Sequence, residues 1–126
     1  MLLFVAARCR AIVAVAMLMS LGAMDVASAA GALAVGKCGA YGQAFDYPAQ
    51  DAALAAAKKQ CKGECTTVTI NRACAAFAVD MKNPCGAHGY AVASRISSSL
   101  NQATKKCYDY GGKECVIRTW ACDAKG

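Results

Sequence analysis

The sequence contains a single histidine, His88, so any Cys-His or Ser-His catalytic pair would have to use it. Its counterpart in the internal repeat described below is Tyr41, which indicates a shared structural role at the edge of a strand. Carboxylates are also sparse, and none makes a recognisable acid/base pair. Beyond residue 29 they are Asp46, Asp51, Glu64, Asp80, Asp109, Glu114 and Asp123. The sequence therefore favours a non-enzymatic role over a catalytic one, and leaves the second open.

An apolar run long enough to form a transmembrane anchor is missing as well. The longest candidate, Ala11–Ala23, is almost purely apolar, but Ser20 interrupts it and Asp25 lies just beyond it. A membrane-spanning helix needs about 20 apolar residues, which is more than this segment offers. A stable membrane anchor is therefore not expected.

The beginning of the chain instead has the three parts of a secretory signal. Arg8 and Arg10 supply positive charge ahead of the apolar run, and Ala27–Ala29 supplies small residues for cleavage. Cys9 does not fit a lipoprotein signal, because Arg8 stands where a small residue should precede a lipidated cysteine. We interpret residues 1–29 as a signal peptide and expect a secreted or periplasmic protein, with residues 30–126 as a single domain.

Removal of the signal leaves 97 residues with twelve Lys and Arg, seven Asp and Glu, and a net charge of +5. Eight of the nine cysteines remain, namely Cys38, Cys61, Cys65, Cys74, Cys85, Cys107, Cys115 and Cys122. An even number of cysteines in a small exported chain predicts a disulfide framework. So small a domain buries little apolar surface, and bridges worth about 2–4 kcal/mol each would offset that shortage.

The mature chain consists of two copies of one motif. Cys38–Phe45 aligns with Cys85–Val92, and Ala32–Val35 aligns with Ala76–Val79. Later positions correspond in the same order: Leu54 with Leu100, Ala57 with Ala103, Lys59 with Lys105, Cys61 with Cys107, Cys65 with Cys115 and Cys74 with Cys122. Such an ordered series indicates a duplication, with copies at about 31–73 and 74–122.

Each copy predicts the order β-β-α-β, so the whole is an α+β fold of two pseudo-symmetric β-β-α-β repeats in one small disulfide-stapled domain. The two strands of a hairpin come first, because a short apolar segment is followed by a turn with Gly and Cys. Asp46 and Pro48 suggest where the first helix begins, and Ser97 or Ser98 suggests the cap of the second. A strand rich in β-branched residues closes each copy.

The positions of the cysteines favour one set of bridges among the 105 that eight cysteines allow. Two pairs link the end of a helix to the next strand, and the other two pairs occupy equivalent positions in the copies. Bridging between equivalents is expected if the copies are related by an approximate two-fold axis. The favoured pairs are Cys61–Cys65, Cys107–Cys115, Cys38–Cys85 and Cys74–Cys122.

The pattern of motifs resembles a family of bacterial secreted proteins known as domain of unknown function 4189. It includes Gly39-x-Tyr41-Gly42-x-Ala44-Phe45, an Ala-rich helix ending in Cys61, and the closing run Thr119–Cys122. The resemblance covers residues 31–122 and implies the fold and an exported location. It carries over Phe45, Tyr47, Cys61, Cys65, Cys74, Trp120 and Cys122. This sequence departs from the family in two respects. Many members have fewer cysteines, which implies that four of those here form additional disulfides: Cys38, Cys85, Cys107 and Cys115. The second return strand, Tyr90–Ala93, lacks the family's usual aromatic residues. The family's activity is undefined, so it implies no catalytic residue.

Lysines recur around the two predicted helix ends, at Lys58, Lys59, Lys62, Lys105, Lys106 and Lys113. They are candidate anion-binding residues, although lysines there also stabilise helices and keep a domain soluble. No cofactor or metal is expected, because neither Cys61-x3-Cys65 nor Cys107-x7-Cys115 has the spacing of a zinc ribbon. Nucleic-acid binding is not expected, because stacking aromatic residues do not alternate with the basic ones.

Two classes of function follow from these features. The first is a non-enzymatic interaction module in the periplasm or outside the cell, with an unknown protein or an anionic envelope component as its partner. The second is a secreted effector or small hydrolase that acts on the cell envelope, with His88 as the residue to test.

The signal-peptide interpretation predicts the N-terminus of the exported protein. Cleavage after Ala29, or one residue later, gives a chain that begins at Ala30 or Gly31. N-terminal sequencing of protein recovered from the periplasm or the medium measures this directly. A chain that still carries the apolar run and stays with the membrane fraction would contradict it.

Overall fold

The computed structural model describes residues 30–123, so the signal-peptide interpretation lies outside the described residues. Within them the chain forms two three-stranded antiparallel sheets and two helices, in the predicted order β-β-α-β, twice. The elements are β1 (Ala30–Gly36), a short 3-10 turn (Lys37–Gly39), β2 (Tyr41–Tyr47), α1 (Gln50–Gln60), β3 (Cys65–Ile70), β4 (Cys74–Asp80), β5 (His88–Ala93), α2 (Ile96–Asp109) and β6 (Cys115–Cys122).

The register of the strands shows the duplication residue by residue. The first strand of each copy is central in its sheet, with strand orders β2-β1-β3 and β5-β4-β6. Val35 pairs with Tyr41 in the first copy, and its counterpart Val79 pairs with His88 in the second. The pseudo-symmetric α+β fold predicted from the sequence is therefore confirmed.

The two sheets stack face to face between the two helices, which the sequence analysis did not anticipate. Leu33 and Val35 of β1 share one apolar cluster with Phe77 and Val79 of β4. On the opposite face of each sheet lies the helix of the same copy, packed against alanine. The layer order is therefore α1, first sheet, second sheet, α2.

Side-chain size separates the two faces of each central strand. Ala32 and Ala34 of β1 face α1, whereas the larger residues alternating with them face the middle of the sandwich. The same division holds in β4, where Ala76 and Ala78 face α2 and Phe77 faces the other sheet. Successive strand residues point to opposite faces of a sheet. The small alanine side chains therefore let each helix approach its sheet, and the larger side chains fill the space between the two sheets.

The predicted helix starts are wrong in opposite directions: α1 begins later than predicted, and α2 begins earlier. Asp46 lies in β2 with φ +60°, and α1 begins at Gln50 after Ala49. The residue before a proline is pushed towards extended backbone, and Tyr47, which precedes Pro48, accordingly ends β2. In the second copy the predicted caps lie inside the first turn of α2, and the cap position is Arg95. Neither helix has a side-chain cap.

The described cysteines form four disulfides: Cys38–Cys85, Cys61–Cys65, Cys74–Cys122 and Cys107–Cys115. These are the pairs that the repeat favours. The geometry of one pair differs from the expectation, because Cys74 and Cys122 lie opposite each other on adjacent strands of the second sheet. Cys38–Cys85 is therefore the bridge that joins the two sheets.

Gly42 and Gly89 are required by the packing of the helices. A Cβ atom at Gly42 would meet the carbonyl oxygen of Ala57 and come within 2.9 Å of the Cβ of Gln60. A Cβ atom at Gly89 would meet the carbonyl oxygen of Ala103 and come within 2.6 Å of the amide nitrogen of Cys107. Each helix thus touches the backbone of the return strand beneath it.

Substituting either glycine by alanine is expected to destabilise the protein. Gly42→Ala and Gly89→Ala force helix and strand apart, at a cost of about 1–3 kcal/mol in the free energy of unfolding. Urea denaturation of the oxidised protein measures it. Gln102→Ala, on an exposed position of α2, is the control and should change that free energy by less than about 0.5 kcal/mol. Equal stability of all three variants would contradict the proposed contact.

Candidate functional site

A cleft of about 600 Å³ opens where the beginning of β5 meets the end of α2. Its lining comprises Gly86, Ala87, His88, Gly89, Tyr90, Lys106 and Tyr110. The consecutive residues among them, 86–90, lead into β5, which is an edge strand, and the other two lie at the end of α2. We call this region the copy-two cleft.

Two contacts fix the polar side chains of the copy-two cleft. The His88 ring packs edge-on against the buried Phe77 ring, with 5.8 Å between centroids. The Lys106 amino group donates a hydrogen bond to the carbonyl oxygen of Tyr90 at 3.3 Å. This bond holds a cation against the edge of β5, and Tyr110, 74% exposed, leaves an aromatic face open to solvent.

A smaller cleft, of about 200 Å³, lies at the equivalent place in the first copy. Gly39, Ala40, Tyr41, Gln60, Lys62 and Arg118 line it, and we call it the copy-one cleft. Here the Gln60 side chain accepts a hydrogen bond from the amide nitrogen of Gln43 at 3.1 Å. Gln60 and Lys106 precede equivalent cysteines, so the same position of each helix covers the edge of a return strand.

Arg118 lies across the copy-one cleft although it belongs to the second copy. The pairing of β4 with β6 passes from Thr119 to Ile117, so Arg118 is the extra residue of a bulge. Its guanidinium lies over the ring of Tyr41, 5.4 Å from the centroid. Its Nε donates a hydrogen bond to the carbonyl oxygen of Gly39 at 3.3 Å.

Asp80 holds the loop that leads into the copy-two cleft. It is nearly buried, and its Oδ1 accepts hydrogen bonds from the amide nitrogens of Lys82 at 3.0 Å and Glu114 at 3.1 Å. Burial acts to raise the pKa of Asp80, but hydrogen bonds from the amides of Lys82, Glu114 and Lys113, with the charge of Lys82, outweigh it. The pKa therefore lies below its ordinary value of 3.8.

The six lysines singled out in the sequence are all exposed. Lys62 lines the copy-one cleft and Lys106 the copy-two cleft. Lys105 forms a surface ion pair with Asp109 at 3.9 Å. Two of the six thus border clefts, and the sequence pattern did not distinguish them from the other four. The contributions of Tyr110 and Arg118 were missed, because neither the end of α2 nor the bulge in β6 has a clear sequence signal.

Some kinds of site find no support within residues 30–123. No group of three or more His, Cys, Asp or Glu side chains there is arranged to hold a metal ion. In the same stretch, no helix is long and apolar enough to cross a membrane.

Comparison with protein families gives a match to a domain of unknown function, DUF4189, over residues 30–122. The chain belongs to this family. The resemblance inferred from the sequence motifs is thereby confirmed, and the match spans both copies. No curated protein and no solved structure matches the chain.

The hydrogen bonds to Asp80 predict a dependence of stability on pH. A carboxyl group whose pKa is lowered by folding stabilises the protein above its ordinary pKa, and this contribution is lost as the pH falls through the folded value. The free energy of unfolding should therefore decline below about pH 3.8. Asp80→Asn, which keeps an oxygen acceptor but not the charge, should lessen the decline.

Urea denaturation at a series of pH values gives the comparison. Glu64→Gln, at an exposed turn, is the matched control and should leave the pH profile of the protein unchanged. Coincident profiles for the Asp80 variant and the unmodified protein would show that the carboxylate of Asp80 does not contribute.

Proposed function

We propose that this DUF4189 protein is an exported, non-enzymatic interaction module. Four disulfides within one small domain support export, because disulfides persist in oxidising compartments and are rare in the cytosol. The composition of residues 1–29 supports it independently. The same two features support a location in the periplasm or outside the cell.

The copy-two cleft is the observation that carries the binding role. Its volume, about 600 Å³, is in the range of small-molecule sites. The side chain of Tyr110 is exposed there, and a hydrogen bond to the carbonyl oxygen of Tyr90 holds the Lys106 amino group at the edge of β5. Aromatic rings and a fixed cation on an open surface are features of binding sites, where they supply contact area and orientation.

An anionic component of the cell envelope is the partner that the charge of the domain favours. The chain from residue 30 onward carries +5, and the lysines at both helix ends are exposed. A positive surface raises the local concentration of anionic partners and speeds their association. An acidic protein is the other partner that the same charge would suit.

A small hydrolase acting on the envelope remains the second candidate, because His88 lines the copy-two cleft. An imidazole in a cleft is suited to proton transfer. The remaining residues that line this cleft contribute no carboxylate and no hydroxyl or thiol nucleophile apart from tyrosine. The interaction module is therefore the better account of the site.

Sedimentation of the oxidised protein with isolated cell envelopes tests the proposal. We expect the protein to be retained, with a bound fraction that falls as salt screens its charge. Tyr110→Ser should reduce retention, whereas Trp120→Ser, which removes an exposed aromatic residue outside the cleft, should not. Absence of retention would contradict the module. Release of soluble envelope fragments that His88→Ala abolishes would establish the hydrolase instead.

A further inference from the structure

The two clefts occupy equivalent positions in the two copies. Tyr41 and His88 pair with equivalent valines of the central strands, so the clefts begin at the same register position. Gln60 and Lys106 then cover the return strands from equivalent helix positions. The duplication therefore produced two clefts, which differ in what occupies them.

A side chain of the other copy partly fills the copy-one cleft. Arg118 reaches it because of the bulge in β6, and its guanidinium covers Tyr41. For the copy-two cleft, the equivalent side chain would have to come from β3 of the first copy. However, β3 pairs with β1 without a bulge and contains no charged residue. No such side chain lies across the copy-two cleft, and its volume is about 600 Å³ against about 200 Å³ for the copy-one cleft.

The two clefts place their positive charge differently. Lys62 and Arg118 line the copy-one cleft, and Arg118 is already engaged with Tyr41 and Gly39. In the copy-two cleft the cation is Lys106, at the helix position where the first copy has Gln60, and no carboxylate is among the residues that line this cleft. The negative charge at the end of α2 is partly offset. Asp109, its last residue, forms an ion pair with Lys105 at 3.9 Å. The carbonyl groups of the last turn accept hydrogen bonds from the amides of Tyr110, Gly111 and Gly112. A negatively charged ligand group is therefore favoured beside Lys106.

The aromatic residues indicate the shape of the rest of the ligand. Tyr90 and Tyr110 border the same cleft as Lys106, and Tyr110 presents an exposed ring. A flat aromatic face suits the C–H face of a sugar ring, while the lysine binds an acidic substituent. The single ammonium group is matched by one negative charge, such as a carboxylate carries.

We propose that the copy-two cleft binds a carboxylate-bearing sugar ring of an envelope glycan. The carboxylate is bound by the Lys106 amino group, and the sugar ring lies against Tyr110. This inference rests on the proposed function and makes it more specific, since it names the class of ligand and the copy that binds it. The copy-one cleft takes no ligand, because Arg118 covers it.

Titration of the oxidised protein with tetragalacturonate, followed by amide chemical shifts, tests the inference. Shifts should concentrate at Gly86–Tyr90 and be absent from Gly39–Tyr41. Lys106→Met should weaken binding about tenfold or more, as loss of a charge-assisted hydrogen bond does. Lys59→Met, an exposed lysine in the last turn of α1, is the matched control and should bind as the unmodified protein does.

Two further probes separate the sugar from other anions. The methyl ester of tetragalacturonate keeps the rings but lacks the charge, and tetraglutamate keeps the charge but lacks the rings. Weak binding of both supports the inference. Equal binding of the ester would show that the carboxylate is not recognised, and equal binding of tetraglutamate would show a site for acidic peptides; either result overturns it. Envelope retention without tetragalacturonate binding would overturn this inference alone, whereas loss of both would also overturn the module.

Discussion

Direct contact between helix and strand backbone is the constraint on which the rest of this domain depends. Each helix rests on a glycine of its return strand, Gly42 or Gly89, so neither position accepts even a methyl group. The helix-facing positions of the central strands are alanine for the same reason. Larger side chains such as Phe77 can then be buried only between the sheets, which is why two sheets stack in the middle and the helices lie outside. Such a packing leaves few large apolar residues per layer, and the four disulfides compensate for that.

Duplication has given the domain two copies of one framework, but their clefts differ in size. The framework is shared down to the register of the strands and the helix position that covers each return strand. The copies differ at the edges, where one extra residue in β6 places Arg118 over Tyr41. A single-residue bulge thus connects the two copies and partly fills one cleft, while the equivalent cleft beside His88 is larger.

The sequence predicts this fold where the repeat carries the information, and fails where local chemistry is ambiguous. Alternating small and large residues, the turns and the cysteine spacing are enough to predict β-β-α-β twice, and they favour the four bridges that the structure contains. The start of α1 was placed too early, because Pro48 suits the first turn of a helix as well as the turn before it. The stacking of the sheets and the bulge at Arg118 depend on contacts between distant residues, so no local pattern indicates them. The difference in size between the two clefts follows from that bulge, and the sequence gives no sign of it.

The two long-range disulfides overlap along the chain, and this arrangement has a topological consequence. Cys38–Cys85 and Cys74–Cys122 each close a large loop, and the loops share the segment between residues 74 and 85. A single cut of the backbone anywhere between Cys38 and Cys122 therefore leaves two pieces that are still covalently joined. One cleavage within this span opens a loop without releasing either half, and two cuts are needed before a fragment of it can be lost.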